Sequence, residues 1–276
     1  MNRPIVPRAM AAAATTLFAL FGALSADSAE NQPLTPRAAA LIDLTGQWVA
    51  VVSEDWRFRM MTPPRGDFSS VPLNAAGKQA AMAWDLDKDN ANGDQCRAYG
   101  AAGLMRIPMR VRISWQGEAT LRIETDAGKQ VRLLHFDPRE PTPPAAALQG
   151  YSVAEWQRQK QGGQFIAGFP STKSTSPDTD KDGTLGVVTT HLQPGYLRKN
   201  GVPYSGDAVL TEYFNRYTLP NGQEWFVVTS VVDDPKYLRD PFVTSTDFKK
   251  EDDRSRWHPA PCETARPTLD QAVNSN

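Results

Sequence analysis

Apolar and polar residues alternate through much of the chain, which is the pattern of strands that bury one face. In the stretch MRVRISW, Val111 and Ile113 share one face, while Arg110 and Arg112 share the other. TLRIE repeats the alternation after the turn QGEA, and QVRLLHF follows after DAG. Connections this short leave no room for a crossover helix, so the pattern predicts an antiparallel β-meander.

Later segments extend the same pattern. Three apolar, β-branched runs, TLGVVTTHL, VLTEYFNRYTL and QEWFVVTSVVDD, precede a last strand, PFVTSTDF. The Asn221-Gly222 pair between two of these runs is a strong hairpin signal. A meander of about nine or ten strands usually closes into a barrel, which removes its edges. The predicted fold class is all-β, a mostly antiparallel meander closed into a barrel. A two-sheet sandwich is the alternative.

Three regions fall outside this succession of strands. Asn74 is a candidate N-cap for NAAGKQAAMAW, the one short helix that we predict. Residues 137–184 are rich in Pro, Gly and polar side chains, and they predict a long irregular insertion around a single strand, QGYSVAEW. EDWRFRMM alternates between aromatic or Met side chains and arginines, which favours a further strand there.

The N-terminus has the three parts of a secretory signal: basic MNRPIVPR, apolar AMAAAATTLFALFGAL and small, polar SADSA. The apolar run is short for a bilayer span, which takes about 20 residues. Export to the periplasm or secretion is therefore favoured over an uncleaved membrane anchor. We expect a signal peptide at 1–29, a flexible lead at 30–42, a single β-barrel domain at 43–262 and a disordered tail at 263–276.

Charge and composition narrow the classes of function. The full chain has a formal net charge of −1, and residues 1–29 carry a net +1, which leaves −2 for the remainder. Without a basic excess we predict no nucleic-acid partner. No later apolar run is long enough for a transmembrane segment in the mature chain. The sequence has no cofactor fingerprint and no complete set of metal ligands, so we expect neither group. The sequence does not predict an oligomeric state.

The chain has two cysteines, Cys96 and Cys262. In an oxidising compartment, a pair so far apart most simply forms one disulfide bond. The bond would tie the C-terminal segment to the middle of the chain and stabilise the fold by about 4–5 kcal/mol at most. The alternative, a thiol pair that binds a metal, lacks the nearby Cys or His ligands that zinc needs.

The triplet Gly46-Gln47-Trp48 resembles the Gly-x-Trp signature of lipocalins, in which the Trp closes one end of the barrel. Further stretches resemble a family of secreted bacterial proteins with a lipocalin-like (calycin) β-barrel. The resemblance implies one barrel-like domain and no particular activity. The stretches that carry it cover most of residues 43–248 and are DLTGQWV, EDWRFRM, TPPRGDF, CRAYGAA, TLRIETDAG, QGYSVAEW, GYLRKNGVPYS and VVDDPKYLRDPF.

The segment GYLRKNGVPYS joins two predicted strands with large aromatic and basic side chains. Such side chains supply broad contact area with polar tips and are favoured at recognition surfaces. We therefore expect a lid or rim over an open barrel end, with Tyr196, Arg198 and Tyr204 in contact with an anionic or aromatic ligand. The alternative is a loop packed on the outer wall, with Arg198 paired to Asp233 or Asp234.

A barrel of eight to ten strands is wide enough to hold one small ligand. The sequence therefore predicts an exported binding or carrier protein for a small apolar, amphipathic or aromatic molecule held in the barrel cavity. An interaction protein with a filled core and no cavity is a further alternative. The candidate ligand-binding residues are Trp48, Trp56, Arg57, Arg59, Tyr196, Arg198, Tyr204 and Tyr213.

The main alternative is an enzyme on the same scaffold, a cofactor-independent isomerase, hydratase or lyase. Its candidate acid–base residues are His135, His191 and Glu212. His135 shares a strand face with Val131, and His191 shares one with Leu185. If those faces point inward, both imidazoles would lie in an apolar lumen, where they could exchange protons near neutral pH.

Glu212 alternates with Leu210 and Phe214, so it shares a face with apolar side chains. A carboxylate in such a place is either paired or functional. Arg57 or Arg59 is the expected partner if it is paired. If it is functional, burial would raise its pKa and suit it to acid–base catalysis.

Overall fold

The chain divides into two units, Met1–Pro33 and Leu34–Asn276, and the helices and strands of the described residues belong to the second. Apart from its first residue, the predicted signal peptide lies outside the described residues, and so does most of the predicted tail. The structure, a computed structural model, describes residues 1, 33–137, 145–158, 183–264 and 267.

Alternating buried and more exposed side chains build the wall of a nine-stranded barrel. In strand β10, Phe226, Val228, Ser230 and Val232 are buried, and the residues between them are not. This period of two turns one face of the strand toward a common interior. The barrel strands are β1 Gly46–Val51, β2 Arg110–Trp115, β3 Thr120–Thr125, β4 Val131–His135, β5 Tyr151–Arg158, β6 Gly183–Thr190, β9 Val209–Thr218, β10 Glu224–Asp233 and β11 Phe242–Lys250, while β7 Gly195–Arg198 and β8 Val202–Tyr204 form a separate hairpin.

The barrel closes in the order β1-β11-β10-β9-β6-β5-β4-β3-β2, and β2 pairs with β1. Neighbouring strands are antiparallel except β4 and β5, which are parallel where Leu134 pairs with Ser152 and His135 with Val153. Since an odd number of strands cannot alternate direction all the way round a ring, one parallel seam is required. The predicted all-β, mostly antiparallel barrel is confirmed, and the sandwich is excluded.

A helical segment and a hairpin cover one end of the barrel. Residues 52–109, between β1 and β2, contain four short helices. The β7–β8 hairpin packs on them, where Leu197 and Val202 share an apolar cluster with Leu73 and Ala81. We call these two pieces together the cap. No helix in the described parts of the chain is long and apolar enough to cross a bilayer. The helices are α1 Trp56–Arg59, α2 Ala75–Met82, α3 Leu86–Asn92 and α4 Ala101–Leu104.

The sequence predicted α2 as a helix, but it predicted a strand where the structure has α1. Asn74 caps α2 as expected, because its side-chain oxygen accepts a hydrogen bond at 2.9 Å from the backbone N–H three residues on. EDWRFRMM forms α1 instead of a strand. Asp55, which precedes the helix, has a left-handed backbone (φ 50°). Arg59, the last residue of the helix, is buried and donates hydrogen bonds to Glu54 and to the carbonyl of Arg106. The alternation of residue types within one segment cannot predict contacts such as the one with Arg106, because they depend on residues outside it.

Large side chains fill the interior of the barrel. Trp48, Phe214, Phe226 and Phe248 have no exposed surface. Trp48 meets Phe226 edge-on with ring centroids 4.9 Å apart, and Phe226 stacks on Phe248 at 4.7 Å. The indole N–H of Trp48 donates to the carbonyl of Leu44 at 2.8 Å, so its polar atom is satisfied. These side chains form a closely packed cluster inside the barrel.

The described part of the predicted lead (30–42) contacts the opposite end of the barrel. The indole N–H of Trp156 donates to the carbonyl of Pro36 at 2.8 Å, and Leu41 is buried. Trp156 also packs near Trp115, with ring centroids 6.5 Å apart. The lead therefore covers one end of the barrel, and the cap covers the other.

The C-terminal segment runs along the outside of the barrel and ends at the predicted disulfide. Glu251 accepts hydrogen bonds from Gln47 at 2.9 Å and from Arg110 at 2.8 Å, which holds the segment on β1 and β2. The Cys96–Cys262 bond is confirmed. It links this segment covalently to the cap.

We predict that replacing both cysteines by serine lowers the free energy of unfolding by about 4–5 kcal/mol at most. The bond joins residues 166 positions apart, and removing it frees that loop in the unfolded chain. Urea unfolding of wild type and of Cys96→Ser/Cys262→Ser measures the difference. Reduced wild-type protein is the matched control and should unfold like the variant. A difference below about 1 kcal/mol would contradict the prediction.

Candidate functional site

The segment GYLRKNGVPYS is the buried β7–β8 hairpin of the cap. Tyr204 has no exposed surface, and Tyr196 and Arg198 are more than nine-tenths buried. Gly201 has a left-handed backbone (φ 77°), and a Cβ added there would lie 2.0 Å from the Trp84 ring. Glycine therefore allows the hairpin to turn and to pack closely on that ring. The hairpin therefore covers one end of the barrel, as predicted for a lid, but several of its side chains are packed in the apolar cluster of the cap.

A cavity of about 200 Å³ lies between α2, α3 and the hairpin. We call it the aromatic cleft, because four aromatic side chains line it: Trp84, Tyr196, Tyr204 and Tyr237. Two residues predicted for the ligand site, Tyr196 and Tyr204, thus meet at one cavity, in the cap rather than in the lumen. The charged and polar residues of its lining are Asp85, Lys88, Asp89, Asn92 and Arg97.

Asp89 organises the polar side of the aromatic cleft. Its carboxylate accepts hydrogen bonds from the indole N–H of Trp84 at 3.0 Å and from the hydroxyl of Tyr196 at 2.8 Å. The Arg97 guanidinium lies 3.6 Å from this carboxylate and 4.4 Å from the centroid of the Tyr196 ring. Burial and the bond to Asp89 raise the pKa of Tyr196 above its ordinary value, so this hydroxyl stays a donor at neutral pH.

No local pattern in the sequence predicted that Asp89 organises a site. It lies in the acidic stretch DLDKDN, whose composition is typical of a solvated turn. Its partner Tyr196 is 107 residues away in the chain. A polar pair of this kind is visible only when folding has brought the two segments together.

The three predicted arginines all lie in the cap but have different surroundings. Arg57 pairs with Asp67, and Arg59 pairs with Glu54 at 2.9 Å. Arg198 forms no ion pair with any described residue, so the pair with Asp233 or Asp234 that the alternative interpretation required is not formed.

The other predicted ligand-binding residues lie away from the aromatic cleft. Trp48 belongs to the core of the barrel. Trp56 is 63% exposed on α1, and Tyr213 is 36% exposed on the outer face of β9. The structure therefore brings together the two tyrosines of the hairpin but not these three residues.

Glu212 points into the barrel and pairs with an arginine that the sequence did not suggest. The Arg132 guanidinium donates to both carboxylate oxygens, at 3.1 and 2.6 Å, and neither side chain has any exposed surface. Arg132 also donates to Thr189 at 3.3 Å, and Thr189 is hydrogen-bonded to Ser152 at 2.8 Å. The expected partners on the EDWRFRMM segment take no part. The pairing alternative for this carboxylate is therefore the one found, with Arg132 as the partner.

The two candidate histidines do not share the interior with Glu212. The buried residues of β4 alternate with His135, which lies on the outer side, where its ring stacks on Tyr151 with centroids 5.1 Å apart. His191 follows β6 with a left-handed backbone (φ 56°), and its Nδ1 is 2.8 Å from the hydroxyl of the preceding threonine. The inward orientation considered for these imidazoles is not found, and the three acid–base candidates do not converge.

Comparisons with known proteins assign no function to these sites. A scan of family models, a search of curated proteins and a search of solved structures found no match to this chain. Over the residues that the structure describes, no group of three or more His, Cys, Asp or Glu side chains is arranged to hold a metal ion. The case for the aromatic cleft as a functional site therefore depends on its geometry alone.

We predict that Glu212→Leu lowers the free energy of unfolding by about 3–5 kcal/mol, because it leaves the Arg132 charge buried without its partner. Arg132→Met/Glu212→Leu should recover most of this loss, since both charges are then removed. Urea unfolding measures both. In the exposed pair Arg122–Glu124, the control Glu124→Gln should cost less than about 1 kcal/mol. A Glu212→Leu protein as stable as wild type would argue against a structural role.

We predict that Tyr196 makes stability fall as the pH rises above about 10, the ordinary pKa of tyrosine. Below that pH both the folded and the unfolded state hold the proton, so the contribution is complete. Above it the unfolded chain releases the proton, whereas folded Tyr196, whose pKa is raised, retains it. Wild type should lose up to about 1.4 kcal/mol per pH unit more than Tyr196→Phe. Tyr213→Phe, on the outer face, is the control; equal slopes in all three proteins would contradict the prediction.

Proposed function

We propose that the protein is an exported binding or carrier protein for a small aromatic or amphipathic molecule, which binds in the aromatic cleft of the cap. The observation that carries this proposal is the convergence of four aromatic side chains on one cavity of about 200 Å³. Small-molecule sites are lined mainly by apolar and aromatic groups, with a few placed polar groups that set orientation. The aromatic cleft has this composition.

The volume of the cleft is sufficient for one aromatic ring or a group of similar size. An apolar cavity of about 150 Å³ holds benzene, and the aromatic cleft is somewhat larger. Its Trp and Tyr rings favour stacked or edge-on contacts with another ring. Lys88 and Arg97 supply donors for a polar substituent. A single-ring aromatic compound with one polar substituent fits both features.

The enzyme alternative has less support from the geometry. Isomerase, hydratase or lyase chemistry needs at least two acid–base groups at one point of a cavity. Glu212 is held by Arg132 inside the barrel, and none of Glu212, His135 and His191 lines the aromatic cleft. Binding needs only a lined cavity, so it is the function that these positions favour.

Export to the periplasm or the cell exterior is part of the proposal. The signal-like sequence at 1–29 motivates it, and the Cys96–Cys262 bond supports it, since disulfides persist in oxidising compartments. Membership of a lipocalin-like family is proposed on similar grounds. The barrel is closed, and Trp48 lies inside it with the Lys250 ammonium 5.3 Å from its ring centroid.

Filling the aromatic cleft tests the proposed function. Ala80 on α2 lines the cleft, so an Ala80→Trp side chain should occupy it. Ala76→Trp, at an exposed position of the same helix, is the matched control. With the neutral probes phenol and indole, saturation-transfer NMR should detect binding to wild type and to Ala76→Trp, and binding at least tenfold weaker to Ala80→Trp. Equal binding to all three proteins, or binding to none, would overturn the proposed site.

A further inference from the structure

A second, smaller cavity in the cap is surrounded by cations. It has a volume of about 20 Å³ and lies between α1, α4 and β7. Since one water needs about 10–15 Å³, this space holds one or two water-sized atoms and not a ring. We call it the arginine pocket. Its charged lining residues are Arg59, Arg106, Arg198 and Lys199, and Phe58 and Phe242 form apolar walls.

Arg198 is a buried cation that forms no ion pair with any carboxylate of the described residues. It is 8% exposed, its Nη1 donates to the carbonyl of Ser69 at 2.7 Å, and its guanidinium lies 3.9 Å from the centroid of the Phe58 ring. In the described part of the chain, no carboxylate lies within 4.0 Å of its nitrogens. Burial lowers the pKa of Arg198 to about 10, with Asp55 opposing the shift and Arg106 adding to it. A buried charge is costly unless a partner compensates it.

Arg59 carries a donor that the protein itself leaves unused. The residue is only 2% exposed. Its Nη1 donates to Glu54 at 2.9 Å and its Nε to the carbonyl of Arg106 at 3.0 Å. Its Nη2 is buried and has no hydrogen-bond partner among the described residues. Because buried polar groups are nearly always satisfied, an unused N–H group on a residue that lines a cavity can take an acceptor from that cavity, either a water or a ligand oxygen.

The charges around the arginine pocket do not balance. Three carboxylates, Glu54, Asp55 and Asp67, pair with arginines of this region. Arg198 and Lys199 form no ion pair within the described ranges. A fourth carboxylate, Glu263, also acts electrostatically on Lys199. Five cations against four carboxylates leave a formal excess of one positive charge. The five cations are Arg57, Arg59, Arg106, Arg198 and Lys199.

We propose that the arginine pocket binds an oxyanion, namely the carboxylate or phosphate group of a small molecule. A guanidinium fork matches the oxygens of such groups with directed, charge-assisted hydrogen bonds. Arg59 and Arg198 supply that fork from two different elements, α1 and β7, and an anion between them would neutralise the excess charge. This site does not rest on the proposed function, because a different cavity with different side chains carries it.

Thermal unfolding of the full chain tests this site, with inorganic phosphate and acetate as probes at constant ionic strength in chloride. A ligand that binds only the folded state raises Tm in a saturable way. We expect saturation with at least one probe for wild type, and at least tenfold weaker binding for Arg198→Met. Without either probe, Arg198→Met should be as stable as wild type or more stable, since it removes an uncompensated charge. Arg239→Met is the matched control, because that side chain is 73% exposed.

The two probes distinguish the possible sources of the oxyanion. Saturation by phosphate alone assigns a phosphate group, saturation by acetate alone assigns a carboxylate, and saturation by both assigns their shared chemistry. A non-saturable rise common to all variants is the general effect of excluded salts. The proposal is overturned if neither probe saturates with wild type, or if Arg198→Met binds as tightly as wild type. Should Arg198→Met fail to fold by circular dichroism, Arg59→Lys, which keeps the charge and removes the unused Nη2, replaces it under the same criteria.

Discussion

Close packing of large side chains inside the barrel is the constraint on which the rest of the structure depends. Trp48, Phe226 and Phe248 touch one another there, and burying such aromatic surface supplies much of the free energy of folding. The wall and the interior therefore form one core, which the lead covers at one end and the cap at the other. Both candidate sites lie in the cap, where separate elements meet and leave space between them.

Two buried arginines show how the same residue type serves structure in one place and recognition in another. Arg132 faces a carboxylate of the chain itself, with two hydrogen bonds to Glu212, so its charge is compensated when the barrel closes. Arg198 contacts a carbonyl and the Phe58 ring, and it forms no ion pair with a carboxylate of the described residues. One charge is balanced within the fold, and the other is left for an external partner. The hairpin that carries Arg198 also contributes Tyr196 to the aromatic cleft, so one rigid element supports two cavities of different chemistry.

The sequence alone determined the features that depend on neighbours in the chain. Alternation at Val111 and Ile113 predicted the strands because side chains on a strand repeat every two residues. Asn74 predicted the start of α2, and the Asn221-Gly222 turn predicted the β9–β10 hairpin, because caps and turns are local hydrogen-bonding problems. The single pair of cysteines left one disulfide to form, and the number of strands and their mostly short connections favoured closure.

Only the tertiary structure decided which face of a strand is inside and which distant groups meet. Along β4, leucines occur on both faces, so the alternation showed that His135 shares a side with Val131 but not that this side points outward. Glu212 and Arg132 are 80 residues apart, and no periodicity relates them. The stretch at α1 alternates like a strand, yet buried hydrogen bonds of Arg59 favour a helical turn. Local patterns predict the conformation of one segment. Ion pairs and cavities depend on how distant segments pack against one another, and this packing is determined only when the barrel closes.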